Sequence, residues 1–129
     1  AAVCLSIHTG GDGGPGASCC YFGSDTTHSP AGRRLAEAIH RELTARLGLA
    51  DRGTAPLAVA VLRETRMPAV QVEPGSIADP EDERRLLDAS FRRRLATAIA
   101  DGLERFLAPA DPAGDLRAGG PRAPRSRAT

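Results

Sequence analysis

Leu35, Ile39, Leu43 and Leu47 recur at intervals of four, and a stripe with that spacing forms one face of an α-helix. Ser29-Pro30 precedes it, offering a hydroxyl oxygen to the free N–H groups and a proline whose missing N–H costs nothing at the first helical position. Gly48 supplies the left-handed stop. A helix with one apolar face needs a second layer to cover it, and the neighbouring runs provide one. Val3, Leu5 and Ile7 alternate with Cys4, Ser6 and His8, a period of two that predicts a strand ending at His8. Thr9 to Gly16 contains five glycines and a proline and reads as a loop. Cys19 to Phe22 is a second β-favouring run, closed by Gly23-Ser24-Asp25. After the helix, Ala58–Leu62 and Ala69–Val72 predict two further strands separated by Arg66-Met67-Pro68, the second ending at Glu73. Asp79-Pro80-Glu81-Asp82 is another capped helix start, and Phe91, Leu95, Ile99 and Leu103 mark a closing helix that ends before Pro109.

Strands alternating with helices predict an α/β fold, a mostly parallel sheet flanked by helices. At 129 residues, 41% hydrophobic and 26% charged, the chain fits one globular domain with no internal repeat. The ordered unit is expected over residues 1–107, with 108–129, rich in Ala, Pro, Gly and Arg, as a disordered tail. No apolar run reaches the roughly 18 residues of a membrane span, and no basic stretch precedes Ala1-Ala2-Val3-Cys4-Leu5 as in a signal peptide. All 17 basic residues are arginines, yet the net charge is only +1 and the aromatic residues are Tyr21, Phe22, Phe91 and Phe106, so a nucleic-acid footprint is not expected. The run Arg92-Arg93-Arg94 reads as the solvated face of the last helix. Adjacent Cys19 and Cys20, with Cys4, cannot easily pair or share one tetrahedral metal and are expected as reduced thiols in strands.

In an open α/β sheet, sites form beyond the carboxyl ends of the strands. Two strands here end in a titratable residue followed by a glycine-containing loop: His8 before Thr9-Gly10-Gly11, and Glu73 before Pro74-Gly75. If the strands are parallel, an imidazole that can ligate zinc and a carboxylate that can move a proton meet on one edge. By type alone, a hydrogen-bonded structural histidine and a solvated glutamate fit these positions as well. His28, in a polar loop, and His40, within the first helix, are weaker ligand candidates. Arg63 is placed at a strand end near the presumed cleft, where it could orient an acidic peptide or form an ordinary salt bridge.

Ala2-Val3-Cys4-Leu5-Ser6-Ile7-His8 resembles the strand reading Ser-Ile-His-Ala-Asn in the zinc-dependent N-acetylmuramoyl-L-alanine amidases. Leu62-Arg63 through Met67-Pro68-Ala69-Val70 to Val72-Glu73 resembles that family's Leu-Arg, Met-Pro-Ala-Val and Val-Glu stretch, and Asp79-Pro80-Glu81-Asp82 its Asn-Pro-Glu-acid helix start. The likeness runs from about Ala1 to Leu107, with all segments in order. It implies zinc as cofactor with His8 as a ligand, Glu73 as the catalytic residue and peptidoglycan as the substrate, cleaved between N-acetylmuramic acid and L-alanine. It also implies that the first zinc histidine and the zinc glutamate of the family precede residue 1, so the sheet is expected to be truncated at its N-terminal side and the chain alone to be inactive. After His8 the family's Ala-Asn is Thr9-Gly10, and after Glu73 its Leu-Gly-Phe is Pro74-Gly75-Ser76. A second class stays open: amidase-like regulators that lose zinc ligands and control wall synthesis by binding a protein partner. The enzyme would work in the cell envelope and the regulator in the cytoplasm.

Overall fold

The computed structural model describes residues 3–11, 14–24, 26–63 and 66–108. In chain order these form β1 (Cys4–Ile7), β2 (Ala17–Phe22), α1 (Pro30–Arg46), β3 (Asp51–Leu57), α2 (Ala60–Arg63), β4 (Ala69–Glu73), α3 (Pro80–Leu87) and α4 (Ala89–Leu107). The strands make one sheet in the order β1-β4-β2-β3. The β1–β4 and β2–β3 pairings are parallel, as expected, and β2–β4 is antiparallel, so the sheet is mixed. The proposed tail, 108–129, lies outside the described residues from position 109 onward.

Pleat alternation divides the sheet into two faces. Ala17, Cys19 and Tyr21 of β2 and Val70 and Val72 of β4 are buried, and they form one core with Leu35, Ile39 and Leu43 of α1. The alternate residues Cys20, Phe22, Gln71 and Glu73 are only half-buried. Ser29 Oγ accepts from the Gly32 N–H at 3.0 Å, and Gly48 takes φ 68° just past the C-cap, both as the sequence predicts. α4 packs along α1 through Phe91, Leu95, Ala98 and Ile99. The closest approach is at Gly102, where an added Cβ would fall 2.6 Å from Ile39 Cα and 2.9 Å from the Ala38 carbonyl oxygen.

Two expectations are corrected. The strand expected at Ala58–Leu62 is β3 at Asp51–Leu57, and Ala60–Arg63 is one helical turn, with Leu62 and Arg63 donating to the Val59 carbonyl. Among the described residues β3 lies at the sheet edge and pairs only with β2, so it needs no apolar alternation and accommodates Pro56. The four apolar residues from Ala58 to Val61, followed by Leu62, were too short a run for periodicity to separate strand from helix. The closing helix is two helices. Asp88, at ψ 121°, stops α3 and caps α4 by accepting from the Phe91 N–H at 3.2 Å.

Asp82, in the first turn of α3, is 2% exposed, and its Oδ2 accepts from the N–H of Gly16 at 2.8 Å and of Ser76 at 3.1 Å. One carboxylate therefore joins the loop entering β2, the loop leaving β4 and α3. Asp82→Ala leaves both buried N–H groups without an acceptor, at about 1–3 kcal/mol each, so chemical denaturation should show a loss of roughly 2–6 kcal/mol. At Gly102 two effects oppose. Alanine adds up to about 1 kcal/mol of helix propensity, but its methyl meets backbone that cannot rotate away. Gly102→Ala is expected to lower the denaturation midpoint, and an unchanged or raised midpoint would contradict this crossing geometry.

Candidate functional site

The site is built where β1 and β4 end together. Cys4, Leu5, Ser6 and Ile7 pair in register with Ala69, Val70, Gln71 and Val72, and the His8 N–H donates to the Val72 carbonyl at 2.9 Å. His8 and Glu73 thus follow side by side at the carboxyl ends of parallel neighbours, and the pleat puts them on the face of Ser6 and Gln71. The two loops that leave these strands are laced together. The Gly10 N–H donates to the Gly75 carbonyl and the Ile77 N–H to the Gly10 carbonyl, each at 2.9 Å. An added Cβ at Gly10 would lie 3.3 Å from Glu73 Oε1, so glycine lets the loop pass against the carboxylate.

Glu73 is half-buried, and its Oε2 accepts from Gln71 Nε2 at 3.1 Å. Across the antiparallel pairing Glu73 stands opposite Ser18, and Gln71 opposite Cys20. Burial first, and then the charge of Glu73, raise the pKa of the Cys20 thiol, while Arg52 and a hydrogen bond from Ser18 oppose the rise. Burial pushes the Cys19 thiol far higher, with smaller contributions from Cys20 and Glu73. All three cysteines are free.

The other sequence candidates lie elsewhere. Arg63 ends α2, not a strand, and lines a concavity with Phe22 and Ala69. Ala69 opens β4 and Glu73 closes it, so Arg63 is at the opposite end of the sheet from His8 and Glu73. His28 is exposed with its ring edge-on to Tyr21, and His40 is buried in α1 with Nε2 2.7 Å from Asp51 Oδ1. That bond, and the Gly53 N–H, hold the Asp51 carboxyl below the usual carboxylate range. Among the described residues no three His, Cys, Asp or Glu side chains converge to hold a metal. A catalytic zinc takes three protein ligands, so these residues do not make its site by themselves. Sequence reasoning missed Gln71 and Asp82. The period of two already placed Gln71 on the face of Glu73, whereas Asp82 looked like an ordinary first-turn acid.

Residues 1–105 match the family described as N-acetylmuramoyl-L-alanine amidase. The chain belongs to that family. It is 39% identical over 101 residues to the N-acetylmuramoyl-L-alanine amidase LytC of Bacillus subtilis (strain 168), a match that covers 76% of this chain and 20% of that protein. It is 38% identical over 92 residues to the N-acetylmuramoyl-L-alanine amidase CwlM of Mycobacterium tuberculosis (strain ATCC 25618 / H37Rv), covering 70% of this chain and 23% of that one. Its fold is similar to the catalytic domain of CwlV, an N-acetylmuramoyl-L-alanine amidase from Bacillus (Paenibacillus) polymyxa var. colistinus, with a TM-score of 0.74 at 34% identity over 83% of this chain and 58% of that one. The chain therefore spans less than two thirds of the length of these relatives.

Thiols react as thiolates, and both β2 cysteines, Cys19 and Cys20, have raised pKa values. At about pH 8, iodoacetamide should label Cys19 and Cys20 far more slowly in the folded chain than in urea, with the difference shrinking as pH rises. Labelling of Cys19 at the unfolded rate would show that β2 is not packed against α1. Titration of the chain with zinc, followed at the His8 ring by NMR, should show no stoichiometric binding.

Proposed function

We propose that the complete domain to which this chain contributes hydrolyses the amide between N-acetylmuramic acid and L-alanine in peptidoglycan. The observation that supports this reading is the pairing of β1 with β4, which sets an imidazole beside a carboxylate where two parallel strands end. The proposed cofactor is zinc. His8 is proposed as one donor, with the remaining donors supplied from outside this chain. Glu73 is the proposed general base. Its half-buried carboxylate takes a proton from the attacking water as the water oxygen bonds to the carbonyl carbon, then delivers it to the departing L-alanine nitrogen as the C–N bond breaks. Gln71 holds one carboxylate oxygen of Glu73 and leaves the other, Oε1, toward the Gly10 loop.

The test uses a domain completed with the N-terminal portion of a matched amidase. Glu73→Gln keeps size and hydrogen bonding but removes the base, so zinc content should persist while turnover falls on the order of 100- to 10,000-fold. His8→Ala should lower zinc content and turnover together. Loss of zinc in the Gln variant would make Glu73 a ligand. A completed, folded, zinc-loaded domain with no hydrolytic activity would replace the enzyme reading by that of a regulator acting through a protein partner.

A further inference from the structure

The seam between α1 and α4 carries arginines that make no ion pair among the described residues. At its centre Glu42, with a side chain only 8% exposed, forms ion pairs with Arg46 at 2.6 Å and Arg105 at 3.2 Å, and Arg46 also reaches Asp101 at 2.6 Å. Glu42 and Asp101 are thus consumed internally and Glu37 is held by Arg33, while the exposed Glu104 of α4 makes no ion pair among the described residues. To one side of this cluster Arg34 and Arg41 line a concavity of about 340 Å³ with Ala38, Arg105 and Phe106. To the other, Arg93 and Arg94 line one of about 220 Å³ with Arg46 and Thr97. Arg34, Arg41 and Arg93 are exposed and make no ion pair among the described residues, and Arg94 rests 5.4 Å from the Phe91 ring centroid. Along α1, Arg34 and Arg46 are about 18 Å apart at 1.5 Å per residue.

We propose that this seam binds a linear polyanion, a phosphodiester polymer without bases, laid along α1 and α4. Guanidinium forks match phosphate oxygens in pairs, and two basic concavities on one line suit a repeating charge better than a single ion. A base-bearing strand fits less well. Phe91 is buried and Phe106 half-buried, so neither presents an open ring face for stacking. The seam is independent of the amide-hydrolysis reading, since no residue in it belongs to the β1–β4 site.

The probe is fluorescently labelled poly(glycerol phosphate), with binding to the present chain followed by anisotropy against salt. Engagement of four arginines predicts a log–log salt slope of about −3, and the combined Arg34→Glu, Arg41→Glu and Arg93→Glu variant should bind at least tenfold more weakly with a slope of about −1 or shallower. A variant with the same charge change outside the seam, Arg52→Glu with Arg66→Glu and Arg84→Glu, should keep most of the affinity. Circular dichroism melts establish that both variants fold. Equal losses in the two variants would reduce the effect to net charge and overturn the site. Unchanged binding in the seam variant would overturn it as well, and equal or tighter binding of single-stranded DNA of the same charge would overturn the choice of polymer.

Discussion

A single buried carboxylate sets the geometry on which the candidate site depends. The glycine loops beside the site expose backbone N–H groups that no strand can pair, and buried N–H groups are costly when unpaired. Asp82 accepts two of them, from Gly16 and Ser76, and Arg85 approaches its other oxygen at 3.2 Å. Asp79, the N-cap of α3, in turn accepts from the Asp82 N–H at 3.0 Å and fixes that residue at the mouth of the helix. The loop after Glu73 therefore has one course, and it is the course that lets Gly10 and Gly75 hydrogen-bond across the two strand ends.

The same division of labour recurs on the helical side. The apolar stripe of α1 covers the sheet and α4 covers α1, but their close approach requires Gly102, and the charged flank of the seam is organised by Glu42. A carboxylate taken out of water needs compensating partners, and two arginines from different helices provide them. Using Arg46 and Arg105 in this way leaves the remaining seam arginines facing solvent. Packing, rather than composition, thus creates the local excess of positive charge in a chain whose net charge is +1.

Much of the fold was legible in local pattern. The period of four with Ser29-Pro30 and Gly48 gave α1 its extent and ends, and the period of two in β1 and the short β-favouring runs of β2 and β4 placed those strands within two residues of their observed ends. β3 was not legible. An edge strand bonded on one side and open to solvent carries Asp51, Arg52, Gly53 and Pro56 without penalty, so it lacks the alternation by which strands are recognised. The break at Asp88 was hidden for a related reason, since its sign is a backbone turn between two stretches that are each helical by composition. Arg63 was misplaced with the strand to which it had been assigned. His40 shows the limit of residue type as a guide, for its ring is committed to Asp51 and serves packing.

The amino-acid sequence by itself determined which segments are helix and strand where one face is buried, because burial of one face imprints a period. It also determined that His8 and Glu73 each end a strand before a glycine loop, and the motifs around them carry the family. Only the tertiary structure decided that β4 lies beside β1, that β2 runs against it, and that Arg63 falls at the far end of the sheet. Strand order and direction are settled by contacts between residues far apart in the chain, such as the bond from the Gly16 N–H to the Asp82 carboxylate, and no local period records those contacts.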